Sequence, residues 1–285
     1  MNKQNLSDES IVKLFNLKNK ICIISGGGGF LGYYIASAFL ELGAKVYLLD
    51  IDKNSCIKNQ KKLNKKYSNK AKTIILNNNS FLVFKTSLEK ELKNIKKVDI
   101  FINTASYTIK NFKGNNNFFE TVEKYDFLLW QESLNQSLNS FFIFNQVIGS
   151  KMSKKNNGSI INIASDVGVI SPDHRIYEAD KTINYKGVKF NTPLSYSASK
   201  SAIISMTRYL ATYWAKNNIR VNSVSPAGVY NKQDKEFIKV LASRIPLNRM
   251  ANPSEIKGVL VFLASDASSF ITGTNIMVDG GRTAW

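Results

Sequence analysis

From Ile21 to Gly281, short apolar runs of β type alternate with stretches of helical period, and this alternation restricts the chain to few folds. The β-type runs are ICIIS, KVYLLD, SFLVFK, VDIFINTAS, GSIINIAS, IRVNSVSP and GTNIMVDGG. Between them lie FLGYYIASAFLELG, a lysine-rich stretch, a short helix, a long helix ending in GSKM, the helix beginning SYSASK, and NPSEIKGVLVFLAS. Short buried strands alternating with helices imply βαβ units. The expected architecture is therefore α/β: a doubly wound, mainly parallel seven-stranded sheet with helices on both faces and its ligand crevice at the carboxyl ends of the strands.

The chain has 285 residues, 44% of them hydrophobic, enough to bury one sizeable core. Residues 18–285 read as a single unit behind an N-terminal extension, 1–17, with an insertion at about 167–194. The formal net charge of +18 raises nucleic acid as a partner. The lysines are scattered among asparagines, without the aromatic interleaving of a single-strand binder, so the charge reads as compositional bias and no nucleic acid is expected. A positive field would still concentrate an anionic substrate. The two cysteines, Cys22 and Cys56, show no pairing or metal spacing, and neither a signal peptide nor a membrane span is evident. A cytoplasmic protein without membrane association is expected, with no metal; His174, the sole histidine, cannot make a metal site alone.

SGGGGFLG lies where the first strand ends and a helix begins. Glycines there allow a tight turn and let the backbone approach a pyrophosphate seated on the helix N-terminus, a Rossmann-type arrangement. The run fits two spacings, one through Gly27, Gly29 and Gly32, the other through Gly26, Gly29 and Gly32. Gly26, Gly29 and Gly32, with Phe30 and Leu31 at the helix start, are the expected cofactor contacts, while Gly27 and Gly28 read as slack. Asp50 ends the second strand, where a carboxylate accepts hydrogen bonds from ribose hydroxyls and repels a 2′-phosphate, favouring NAD over NADP. Asn103 and Ala105, at the end of the fourth strand, would line the crevice beside the ribose.

YSASK sets Tyr196 and Lys200 four apart on one face of a helix. An ammonium beside a phenol favours the phenolate, which would lower the pKa of Tyr196 and make it an acid/base. Ser165, ending GSIINIAS, can reach the same crevice.

The order of these motifs, from the glycine turn through Asp50, NTAS, GSIINIAS, YSASK and IRVNSVSPAG to VDGG, resembles the short-chain dehydrogenase/reductase family, of the classical type, from about Lys18 to the end. The resemblance implies that Tyr196 exchanges the proton on the substrate oxygen, Lys200 also holds the nicotinamide ribose, Ser165 polarises the carbonyl, and Val229 lies near the nicotinamide. It places Ser137 where many members carry a relay asparagine, and Ser106 in place of a glycine. It also implies a homodimer or homotetramer. The insertion, both of whose ends are catalytic, carries Asp173, His174, Arg175, Tyr177, Glu178, Lys181, Lys186 and Lys189, a mixture suited to a polar, anionic substrate. Of these, Arg175 and Tyr177, with Ser165 and Tyr196, are the expected substrate contacts.

SPDHRIYEAD and VDGGRTAW look similar to a bacterial subgroup found with flagellin-modification and nonulosonic-acid pathways. The implied activity is NAD-dependent hydride transfer at a hydroxyl or keto carbon of a phosphorylated or nucleotide-linked sugar. Two other readings remain open: an extended-type nucleotide-sugar epimerase or dehydratase, suggested by the second glycine spacing, and a non-catalytic NAD-binding protein, suggested by Ser137 and Ser106.

Overall fold

The computed structural model describes residues 10–68, 70–104, 119–178, 184–185, 188–189 and 191–285. In chain order the elements are α1 (Ile11–Leu14), β1 (Ile21–Ser25), α2 (Phe30–Glu41), β2 (Lys45–Asp50), α3 (Lys53–Tyr67), β3 (Ala71–Ile75) and α4 (Phe81–Lys93). Then come β4 (Ile100–Asn103), α5 (Phe127–Leu134), α6 (Ser140–Ser153), β5 (Gly158–Ile163), α7 (Arg175–Glu178), β6 (Asn184–Tyr185) and β7 (Val188–Lys189). The chain continues through α8 (Leu194–Trp214), β8 (Ile219–Pro226), α9 (Lys235–Ala242), α10 (Lys257–Ala264) and β9 (Asn275–Val278). Seven strands form one sheet in the order β3-β2-β1-β4-β5-β8-β9, every pair parallel, while β6 and β7 make a separate antiparallel pair inside the insertion.

The period-two alternation of side chains divides each strand between two cores. Cys22, Ile24, Ile100, Ile102, Ile161 and Ile163 pack with α2 and α10 on one face. Ile23, Phe101, Ile160 and Val221 pack with α4, α6 and α8 on the other. Because both faces are covered, the central strands read as continuous apolar runs rather than alternating ones. Leu17, at the margin of the expected extension, is fully buried in the first core. Among the described residues no helix is long and apolar enough to cross a membrane.

SFLVFK differs from its expected strand: it is the start of α4. Ser80 caps that helix by accepting a hydrogen bond from Val83 N, and Phe84, Leu88 and Leu92 recur on its buried side. The strand beside β2 is instead AKTII, between two lysine- and asparagine-rich stretches. Replacing Ser80 with Ala should destabilise the protein by about 1 kcal/mol, read as a lower denaturant midpoint with unchanged cooperativity.

Candidate active site

The strand order reverses between β1 and β4, so their carboxyl ends open a crevice between helices that leave in opposite directions. Ser25 stands opposite Asn103, Asn103 opposite Asn162, Asn162 opposite Ser223, and Ser223 opposite Asn275. This polar row crosses five strands just below the crevice. Ser25 Oγ donates to Asn103 Oδ1 at 2.9 Å, and Asn162 Nδ2 to Thr207 Oγ1 of α8 at 3.0 Å. Thr104 closes the β1–β4 end by donating its amide to Ser25 Oγ and its hydroxyl to Ser25 O. Asn103 is thus buried in the wall of the crevice; Ala105 and Ser106 lie outside the described residues.

The glycine loop leaves β1 through Gly26, whose φ of +66° suits a residue without a Cβ. Gly29 is the N-cap of α2, with no side chain capping it, and the first backbone bond there runs from Tyr33 N to Gly29 O. The amides of Phe30, Leu31 and Gly32 therefore head the helix without intrahelical acceptors, as an anion site requires. Gly32 lies against Gly26 O so closely that a side chain there would displace the turn. Gly27 and Gly28, expected to be slack, are tightly held. A Cβ on Gly27 would lie 2.7 Å from Leu48 Cα, and Gly28 N donates to Asp50 Oδ2 at 2.8 Å. Asp50 also accepts from Asp52 N at 3.0 Å, so the carboxylate braces the loop while its remaining lone pairs can still meet a ribose. Asn59 on α3 donates to Gly27 O at 2.9 Å and to Gly29 O at 3.2 Å. Nothing in the lysine-rich α3 sequence marks it out.

On the other side of the crevice Ser165 follows β5, and Tyr196 and Lys200 come from the first two turns of α8. Lys200 is 3% exposed; its Nζ donates to Ile163 O at 3.0 Å and stands 5.5 Å from the centroid of the Tyr196 ring. Burial pulls the Lys200 ammonium down to about 8. Burial likewise pushes the Tyr196 phenol up to about 12, while a hydrogen bond with Ser165 acts in the opposite direction. The expected lowering of the Tyr196 pKa is not found, because desolvation of the phenol prevails. Tyr196 is accordingly a protonated phenol at neutral pH, able to give a proton to an oxygen placed between it and Ser165.

Ser137 is buried at the centre of a π-helical turn, Asn135–Asn139, that joins α5 to α6. Such turns widen a helix locally and recur at functional sites. Ser165 Oγ donates to Asp166 Oδ1 at 2.8 Å, and Arg282 Nη1 to Asp166 Oδ2 at 2.7 Å. Neither Asp166 nor Arg282 was singled out by the sequence, since they lie 116 residues apart.

The insertion folds back on the body. Tyr177 and Ile176 of α7 join Leu241, Ile245 and Met250 in a satellite cluster, and the Tyr177 hydroxyl meets Thr192. Asp173 binds Arg175 Nε at 2.8 Å and Arg244 Nε at 2.8 Å, and His174 Nδ1 meets Asn191 Oδ1 at 3.1 Å. Arg175 is largely exposed and engaged by Asp173; Tyr177 is buried close to the Asp166–Arg282 pair. Val229, half-buried after β8, bridges to Ala251. A cavity of about 500 Å³ opens on the adjacent face, lined by Phe127, Trp130, Val167, Val169 and Leu194, and neither Ser165 nor Tyr196 lines it.

A family model described as short chain dehydrogenase matches residues 20–183, and one described as Enoyl-(Acyl carrier protein) reductase matches residues 182–283. The chain belongs to the short-chain dehydrogenase/reductase family. As a member it is an oxidoreductase acting on CH–OH groups and binds a nicotinamide cofactor, which the glycine turn and the open α2 N-terminus fit. It is 31% identical over 280 residues to a protein of Listeria innocua named NAD-dependent glycerol dehydrogenase, covering 95% of this chain and 96% of that one. It is 28% identical over 265 residues to Post-translational flagellin modification protein A of Campylobacter coli, covering 93% and 98%. A short chain dehydrogenase from Leptospira borgpetersenii, solved with bound NAD+, superposes with a TM-score of 0.77 at 30% identity, covering 93% of each chain. Removing the Asn59 amide should loosen the glycine loop: two hydrogen bonds contributing about 1 kcal/mol each set the loss at up to about 2 kcal/mol, so Asn59→Ala should weaken nicotinamide-cofactor binding by up to about 30-fold in a calorimetric titration.

Proposed function

We propose that this short-chain dehydrogenase interconverts a secondary hydroxyl and a ketone on an anionic sugar derivative, with NAD as its cofactor and the reaction within a surface-glycan or flagellin-modification route. The convergence of Ser165, Tyr196 and Lys200 at the carboxyl ends of β5 and α8's first turns carries the reading. The nicotinamide ring, when bound, supplies or accepts the hydride. In the reductive direction the Tyr196 phenol gives its proton to the developing alkoxide, and Ser165 hydrogen-bonds the same oxygen. In the oxidative direction the substrate hydroxyl gives its proton to the Tyr196 phenolate. Lys200 would hold the ribose hydroxyls and support the phenolate, and Ser137 would take the relay position behind it. Gly26, Gly29, Phe30, Leu31 and Gly32 would seat the pyrophosphate, Asp50 the adenosine ribose, and Asn103, Ala105 and Val229 the nicotinamide side.

NAD is favoured because the Asp50 carboxylate, fixed by Gly28 N and Asp52 N, would stand against a 2′-phosphate. Both the relative named for NAD-dependent glycerol oxidation and the Leptospira structure with bound NAD+ support this choice. A sugar is favoured by the polyol relative and by the flagellin-modification relative. An anionic one is favoured by the net charge of +18, whose field would concentrate anions at the protein.

Purified protein screened against phosphorylated and nucleotide-linked sugars, with NAD and NADP in parallel, should show NADH formation or consumption with at least one of them. Tyr196→Phe should lose about 100- to 10,000-fold in kcat while binding NAD normally. Full activity in that variant, or turnover confined to NADP, would refute the corresponding part of the proposal. Because the phenol is pushed up to about 12, oxidation should accelerate as pH rises and reduction should be favoured at neutral pH.

We also propose a homo-oligomer in the cytoplasm. Phe127 and Leu128 of α5, Phe142 of α6, and the stacked Tyr209 and Tyr213 of the neighbouring α8 are all more than half exposed. Apolar side chains concentrated on adjoining helices suit a second copy of the chain. Light scattering should give a dimer or tetramer mass, and Tyr209→Glu with Tyr213→Glu should reduce it.

A further inference from the structure

The residue after Ser165 is a carboxylate almost removed from solvent. Asp166 is 3% exposed and uses both oxygens: Oδ1 accepts from Ser165 Oγ at 2.8 Å and Val167 N at 2.9 Å, Oδ2 from Arg282 Nη1 at 2.7 Å. Arg282, 8% exposed, is delivered by a turn built for it. Asp279 accepts from Gly281 N, Thr283 N and Thr283 Oγ1, and Gly280 and Gly281 take positive φ. Burying such a pair offers little stability over an apolar pair of the same size, so stability alone does not account for it.

A serine hydroxyl has one proton. Held on Asp166 at rest, it must turn toward the substrate oxygen or the Tyr196 oxygen when either becomes an anion. The same carboxylate also acts on Tyr196 through space. An anion there opposes formation of a second anion on the phenol, and Arg282 offsets that opposition.

We propose that Asp166 and Arg282 are a positioning pair: Asp166 holds the Ser165 hydroxyl in place beside Tyr196, and Arg282 neutralises Asp166 so that Tyr196 can reach the phenolate. This rests on the reading of Tyr196 as the acid/base. The groups facing Tyr196 are Lys200 on its own helix, Ser165 and Asp166 after β5, and Tyr177 of α7. Those facing Asp166 are Arg282 and Asp279 from the C-terminal turn, with Tyr177 beside both and Asp173 beyond it, itself paired with Arg175 and Arg244. Burial pushes the Asp166 carboxyl up, and Arg282 and the Ser165 hydrogen bond pull it down.

The test is the pH dependence of kcat/KM for alcohol oxidation in Asp166→Asn, Arg282→Met, Arg282→Lys and the Asp166→Asn/Arg282→Met double variant, with melting temperature alongside. Arg282→Met should move the alkaline-rising limb to higher pH by about one unit, a tenfold loss below the limb that is recovered above it. Asp166→Asn should move the limb to lower pH, the double variant should fall between the two, and Arg282→Lys should stay with the wild type. A merely structural pair would lower the melting temperature and the plateau while leaving the limb in place, or would shift both single variants in the same direction. Either result overturns the proposal. If the wild type oxidised no alcohol, the reading of the site would fail first. The pair would then be read from the ultraviolet phenolate titration of each chain minus its Tyr196→Phe counterpart, where opposite shifts are expected and superimposed curves refute it.

Discussion

The order reversal between β1 and β4 is the constraint on which the rest of the molecule depends. A parallel sheet points all its strand carboxyl ends in one direction, and only where the helices diverge is that edge left open to a ligand. Opening it exposes strand ends whose polar groups need partners. The row Ser25, Asn103, Asn162, Ser223 and Asn275 meets part of that need: Ser25 bonds Asn103 and Thr104 N, and Ser223 bonds Asn275 and Thr274 O. It also ties the floor to α8 through Asn162 and Thr207, so the helix that carries Tyr196 and Lys200 is registered against the strand that carries Ser165.

Above that floor Ser165, Asp166 and Lys200 are buried and Tyr196 is half-buried, and desolvation there runs against ionisation. Desolvation pushes the Tyr196 phenol up and the Lys200 ammonium down, so both groups are biased toward neutrality. Asp166 is under the same pressure and stays serviceable as an anion through Arg282 and two hydrogen-bond donors. The site is thus better prepared to donate a proton than to accept one. Its acid/base balance is set chiefly by burial, which Arg282 offsets at Asp166.

The fold was readable because buried parallel strands must be apolar on both faces, which makes β1, β4, β5 and β8 stand out as continuous runs. The same rule misplaced the third strand: SFLVFK is as apolar as a strand, but Ser80 caps it and Phe84, Leu88 and Leu92 bury one helical face. AKTII was obscured by flanking lysines and asparagines. Residues joined by short spacing, such as Tyr196 and Lys200, could be paired by counting. Asn59 under the glycine loop, the π turn around Ser137, and Arg282 beneath Asp166 depend on tertiary approach, and no local period announces them. Gly27 and Gly28 show the converse. The glycine run fits two spacings because all four positions are crowded, by Thr104, Leu48, Asp50 and the loop's own backbone, so its ambiguity is a property of packing and does not separate two kinds of enzyme.

The insertion is tied to the same buried groups. A long excursion between Ser165 and Tyr196 would ordinarily cost order at both ends, since closing a loop lowers chain entropy while adding few contacts. Here its first half is secured at several points: Ser201 Oγ donates to Gly168 O, Tyr177 enters the cluster with Leu241 and Ile245, and Asp173 spans Arg175 and Arg244. Those anchors lie on α8, on α9 and just past α9's end. Tyr177, fixed by Thr192, also stands beside Asp166 and Arg282, so the insertion, the serine and the C-terminal turn share one buried cluster. A movement of Tyr177 would therefore alter the electrostatic setting of Asp166 and of Tyr196, which gives the insertion a physical route to influence the groups beneath it.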